Sequence, residues 1–135
     1  MKYSKATNYA LHIVLYMIKY DKNDKNDNLS LQPLATNFNI SATYLSKILT
    51  QLVKAGIIQS TSGVNGGYSL RKKKDDISFL DIIKATEGTG ALFNCDLQED
   101  NNCPIDKVMA EAENVMGEYL QNKKLYEVIE KQEPI

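Results

Sequence analysis

The sequence predicts a mainly α fold that carries one small β-hairpin, on three observations. Apolar residues recur at helical spacing in several segments. Two short β-prone runs flank a glycine-rich turn holding Gly63, Gly66 and Gly67. Cap and stop residues separate one segment from the next. The chain's 135 residues, 43% of them hydrophobic, supply a core for one domain, or for one small domain with an appended element. No apolar run approaches the ~20 residues that span a bilayer.

Residues 3–20 place Tyr9, Ala10, Ile13, Val14, Met17 and Ile18 on one stripe, the mark of an amphipathic helix. His12, the only histidine, falls in this apolar helix and is expected to be packed rather than a ligand. Residues 21–28, DKNDKNDN, have no apolar side chain and read as an exposed loop. Ser30 is placed to cap a short second helix, with Pro33 tolerated in its first turn and Leu31, Leu34, Ala35 and Phe38 inward. Residues 37–39 make a turn, and Ser41 caps a third helix. Its inward face is Leu45, Ile48, Leu49, Leu52 and Val53, and its outer face Thr43, Ser46, Lys47, Thr50 and Lys54. Gly56 ends it in the left-handed manner.

Residues 57–61 and 68–71 are the two strands. Ser78 caps a fourth helix through Leu80, Ile82, Ile83 and Ala85, which stops near Gly88. Residues 88–102 have weak periodicity and read as a loop. Pro104 opens the longest helix, striped by Ile105, Val108, Met109, Ala112, Val115, Met116, Tyr119 and Leu120. Residues 125–129 extend it or form a last short helix.

Two helices joined by a turn and followed by a hairpin form the outline of a winged helix-turn-helix, a part whose usual work is to read DNA. Major-groove reading needs short polar or basic side chains at the start of the second helix of the pair. Ser41, Thr43, Tyr44, Ser46 and Lys47 meet that need. In the wing, Asn65, Gly66, Gly67 and Tyr68 are the candidate contacts, because glycine lets backbone approach another chain closely. Lys5, at the start of the chain, is a further candidate for phosphate or base.

Charge supports the same reading. The net charge of -1 hides a division: residues 1–74 hold 11 Lys and Arg against 3 Asp and Glu, and residues 75–135 hold 5 against 14. A basic first part suits phosphates, and an acidic remainder keeps the chain soluble. An enzyme is not expected. One histidine supports neither a Ser-His-Asp triad nor a histidine-rich zinc site, the glycines lack a phosphate-loop signature, and no base accompanies either cysteine. The start of the chain is not a secretory signal and two cysteines do not make a disulfide scaffold, so a cytoplasmic location is expected.

Four segments carry a family resemblance: MKYSKATNYALH, SATYLSKILTQLVKAGII, GVNGGYSL and ISFLDIIKATEG, in that order. Together they resemble the Rrf-type winged-helix transcription regulators over nearly the whole chain. The resemblance implies a homodimer whose long C-terminal helix crosses its partner, with two winged units reading a near-palindromic operator in double-stranded DNA. The lack of a spanning apolar run leads to an expectation of no membrane partner, and under the resemblance the striped residues Ile105 to Leu120 become the dimer contacts.

Some relatives bind an iron–sulfur cluster through three cysteines before the long helix. Cys95 matches the first and Cys103 the last, but the middle one is absent. Asp106 stands where some relatives have histidine, so Cys95, Cys103 and Asp106 are the candidate metal ligands. Asn8 occupies a region where another relative supplies a carboxylate, and an amide is a poor iron ligand. Three readings stay open: a mixed-ligand cluster, a thiol switch of Cys95 and Cys103, or two unreactive thiols. The wing departs too, with Ser62 where cluster-binding relatives carry arginine.

The expected architecture is therefore a winged helix-turn-helix domain over 1–87, a sensor or connecting loop over 88–103, and a dimerisation helix with a C-terminal segment over 104–135. The expected function is a dimeric DNA-binding regulator, a repressor, responding to redox, nitrosative or iron–sulfur status, with a protein effector among its partners. The alternative is a dimeric helical interaction module that does not read DNA.

Overall fold

The computed structural model describes residues 2–21, 28–95, 97 and 103–130. Most of the loop predicted at 21–28, and most of the residues between Cys95 and Cys103, lie outside the described residues.

Helix α1, Lys5–Tyr20, is capped by Ser4, whose hydroxyl accepts from the Thr7 N–H. It buries Ala10, Ile13, Val14, Met17 and Ile18, the stripe its periodicity marks. His12 is a correction: it is exposed, and its Nδ1 lies 2.8 Å from the Asn8 carbonyl one turn back. At about 100° per residue, position 12 lies on the side of the helix opposite the buried stripe of Ala10, Ile13, Val14, Met17 and Ile18, so an apolar neighbourhood in sequence does not carry it inside.

Helices α2, Leu31–Phe38, and α3, Ala42–Lys54, form the helix-turn-helix pair. Asn39 makes the turn in the left-handed region, at φ 55°. Ser30 stands at the N-cap of α2, but its side chain makes no cap hydrogen bond, whereas Ser41 accepts from the Tyr44 N–H at 3.1 Å. The α3 residues Leu45, Ile48, Leu49 and Leu52 are the centre of the core. Gly56, at φ 79°, turns the chain out of α3.

Strands β1, Ile58–Thr61, and β2, Gly67–Leu70, pair antiparallel with Ile58 opposite Leu70 and Thr61 opposite Gly67. A third backbone joins them. The Leu29 N–H donates to the Tyr68 carbonyl at 2.7 Å, and the Tyr68 N–H donates back to Leu29 at 2.9 Å. The segment just before α2 thus covers one edge of the hairpin.

After a short 3₁₀ turn at Lys74–Asp76, helix α4, Phe79–Glu87, starts with a full capping box between Ser78 and Asp81. Helix α5, Pro104–Asn122, has no fully buried residue. Helix α6, Leu125–Glu130, returns to the winged part. The Leu125 N–H donates to the Ile77 carbonyl, the Phe79 N–H to Lys123, and Leu125 is 1% exposed within the main core. Burying a leucine is worth about 1.5–3 kcal/mol, so α6 is anchored to the same core as α1 and α4. Among the described residues no helix is long and apolar enough to cross a membrane.

Candidate nucleic-acid interface

The outer face of α3 is divided between structural and free side chains. Ser41 is occupied as the cap of the helix. Tyr44 is half-buried and meets Tyr9 of α1 edge-on, with ring centroids 5.8 Å apart. Ser46 is half-buried, and its carbonyl accepts from the Thr50 hydroxyl at 2.8 Å. Thr43 and Lys47, four residues apart and therefore on one face, are exposed. Lys5, also exposed, is one turn before Tyr9 and shares the α1 face that meets Tyr44.

In the wing, the two adjacent glycines are required by their neighbours. A Cβ at Gly66 would lie 2.0 Å from the Thr61 carbonyl oxygen, and one at Gly67 would lie 2.5 Å from that of Leu29. Their first role is therefore to close the hairpin and admit the third backbone, whatever else approaches them. Tyr68 is half-buried against the core, while Asn65 is exposed at the turn. Asn28, which the sequence does not single out, donates through Nδ2 to the Asn65 carbonyl at 2.9 Å.

The basic run at 71–74 is not one free patch. Lys72 pairs with Asp81 at 2.7 Å, and Lys74 Nζ donates to the Asp21 carbonyl at 3.0 Å. Arg71 and Lys73 are the exposed members. Burial pushes the Asp81 carboxyl up, but the Lys72 ammonium and the Ser78 N–H and hydroxyl outweigh it and hold the carboxyl below its ordinary value.

A second cluster links this unit to the loop that follows α4. Glu87 Oε2 accepts from the Ser4 N–H at 2.7 Å, from the Ser4 hydroxyl at 3.0 Å and from the Thr7 hydroxyl. Thr7 also meets the Thr86 hydroxyl. The start of α1 is thereby tied to the end of α4, and sequence gives no signal for it.

The two cysteines are brought together. Cys103, 5% exposed, sits at the N-cap of α5, and Cys95 is half-buried beside it. The Asp106 N–H, the hydrogen bond from Cys95 and the Ile105 N–H hold the Cys103 thiol below its ordinary value, against burial and the Asp106 carboxylate. An iron–sulfur cluster needs about four ligands, mostly thiolates. Among the described residues no three His, Cys, Asp or Glu side chains converge. Asp106 meets Cys103 through its backbone amide, and the described residues of one chain do not fit a cluster.

The α5 stripe separates into two faces. Met109, Met116 and Leu120 are half-buried, with Met116 and Leu120 facing Leu80 and Ile83 of α4 across a cavity of about 390 Å³. Ile105, Val108, Val115 and Tyr119 are 62–65% exposed, and with Ala112 they repeat at alternating spacings of three and four.

Comparison with known proteins agrees with this architecture. The family model described as "Rrf2: Iron-dependent Transcriptional regulator" matches residues 3–131. The chain is 32% identical to YffB of Lactococcus lactis, a candidate HTH-type transcriptional regulator, over 95% of this chain and 86% of that protein. It is 34% identical to the HTH-type transcriptional regulator NsrR of Halalkalibacterium halodurans, over 80% of this chain and 72% of that protein. The structure of CymR, the global cysteine regulator of Bacillus subtilis, superposes with a TM-score of 0.77 at 26% identity, covering 98% of this chain and 99% of that one. With its hairpin-flanked helix-turn-helix and long C-terminal helix, the chain belongs to the Rrf2 family of DNA-binding transcriptional regulators, a family of regulators and not of enzymes.

Proposed function

We propose that the chain is a homodimeric repressor that reads a near-palindromic operator and is controlled through Cys95 and Cys103. The observation that carries this reading is the free face at the start of α3, where Thr43 and Lys47 stand exposed on a helix whose other side is core. That end of α3 enters the major groove. Lys47 reaches a base edge or phosphate, and Thr43 and Ser46 hold backbone at close range. Lys5 and Tyr44 contact the flanking backbone, and the wing, from Asn65 to Tyr68, lies on the minor groove.

Residues 1–87 act as the reading unit, 88–103 as the sensor loop, and 104–135 as the dimer helix with a C-terminal segment that docks back on the reading unit. The exposed α5 stripe supports the dimer, because its three-and-four spacing suits a second helix crossing it. Two reading units then fall on half-sites about 34 Å apart, one helical turn, and the bound dimer blocks polymerase.

The contact between the thiols supports a redox input. Hydrogen peroxide oxidises one thiolate to a sulfenic acid and leaves as water. The second thiol attacks that sulfur, forming the disulfide and releasing a second water. The bond would fix the start of α5 to the loop, next to the dimer stripe.

The test of DNA reading is Lys47→Ala against the duplex that the wild-type protein enriches from a random pool. Affinity is expected to fall about tenfold at fixed salt, and the salt slope by about one. Undiminished binding with an unchanged slope would remove Lys47 from the contact set.

A further inference from the structure

The apex of the wing is occupied by an apolar residue that the fold does not use. The Gly66 N–H donates to the Gly63 carbonyl at 3.0 Å, closing a turn with Val64 and Asn65 at its centre. Gly63, at φ 100°, supplies the backbone geometry that starts the turn. Val64 is fully exposed, more so than any other large hydrophobic side chain among the described residues. It packs on nothing, so core stability gives no reason for valine there.

The turn is also held still. Asn28 Nδ2 binds the Asn65 carbonyl, and the paired hydrogen bonds between Leu29 and Tyr68 fix the strand behind it. At Gly67 the strand passes so close to the Leu29 backbone that an added Cβ would lie 2.5 Å from its carbonyl oxygen. Valine itself is stiff at χ1. The apex is a rigid stub that presents two methyl groups.

Taking the DNA reading above as given, we propose that Val64 selects A·T pairs under the wing by excluding the minor-groove amine of guanine. A·T and T·A pairs show only acceptors in the minor groove, whereas a G·C pair adds the N2 amino donor. An aliphatic side chain pressed onto that amine strips its water and offers no acceptor in return, which is a net penalty. Over an A·T pair the methyls lie against adenine C2–H and leave no donor stranded. Ser62 precedes the turn, so no basic side chain adjoins Val64 on that side to read groove potential instead. Asn28 is then a positioning residue for the apex, acting through the Asn65 backbone.

The experiment uses the full chain and the duplex it enriches from a random pool. The A·T pair under the wing, found by footprinting, is replaced by G·C and separately by I·C, which differs from G·C only in lacking the N2 amine. The wild type is expected to lose about tenfold affinity for the G·C duplex and to recover it on the I·C duplex. Val64→Ala is expected to shrink the G·C penalty at least threefold. Val64→Asn, which offers the amine an acceptor, is expected to abolish it. Equal losses on G·C and I·C, or a G·C penalty unchanged in both variants, would overturn the assignment of Val64 while leaving DNA binding intact. Failure of the wild type to enrich any duplex would instead bring down the DNA reading, and this assignment with it.

Discussion

Glu87 carries more hydrogen bonds than any sequence rule gives it. Its carboxylate gathers the Ser4 N–H and the hydroxyls of Ser4 and Thr7, and the Thr7 hydroxyl is the strongest influence holding it below the ordinary glutamate value. A carboxyl lowered in the folded state adds stability above its unfolded value of about 4.3, and that stability is lost as pH falls through the folded value. Glu87→Gln is therefore expected to lower Tm at pH 7 by about 2–4 °C, a modest figure because the group is exposed. The gap between wild type and variant should close as pH drops below about 4. Thermal melts across pH check this, and a gap that stays constant into acid would show that the charge is not what ties α1 to α4. Residues of this kind were not legible in the sequence. Ser4 and Glu87 are 83 positions apart, and although each falls in one of the family-like segments, nothing in the sequence pairs them. Gly66 and Gly67 were legible as special, but their reason is contact with Thr61 and Leu29 backbone, which only the folded hairpin reveals.

Elements were far more legible, because each is written in local chemistry. The apolar rows of α1 and α3 and the caps Ser41 and Ser78 fall where periodicity and capping put them. The start of α5 at Pro104 follows the same rule, and it gives Cys103 its character. The nearby Asp106 amide, with Cys95 and the Ile105 amide, holds the Cys103 thiol below the usual cysteine range and favours thiolate. The proposed switch predicts that peroxide closes an intrachain disulfide between Cys95 and Cys103 and changes operator affinity severalfold, reversed by a dithiol. Cys103→Ser should remove both the cross-link and the change, read by peptide mass mapping and by binding on the enriched duplex. Oxidation that alters binding equally in Cys103→Ser and Cys95→Ser proteins would place the switch elsewhere. What periodicity could not separate at this scale was the two faces of α5, since core-facing and solvent-facing apolar residues have the same spacing signal.

At the scale of the whole molecule, the charge division and the unpartnered helix belong to one design. Residues 1–74 carry most of the basic side chains and residues 75–135 most of the acidic ones, a division that suits the proposed contact of the first part with phosphates. A single chain leaves Ile105, Val108, Val115 and Tyr119 in water, at a cost that the second α5 of the proposed dimer would relieve. α6 limits where that second helix can lie, because Leu125 pins the end of α5 to the core under Ile77. The sequence leaves residues 125–129 open between an extension of α5 and a last short helix, and what it does not show is the docking of α6, which depends on pairing with residues about 47 positions earlier. Substituting Val108→Asp with Val115→Asp puts two charges on the exposed stripe and touches no buried residue. The variant is expected to keep its helix content by circular dichroism and to sediment as a monomer. Affinity for a two-half-site duplex should fall by about 10²-fold or more, since the second half-site no longer binds in the same encounter. Affinity for a single half-site should be unchanged, because α3 and the wing are intact. A variant that sediments with the wild type would exclude this stripe as the interface, and a loss on the single half-site as large as that on the full site would mean that the charges act on the reading unit instead.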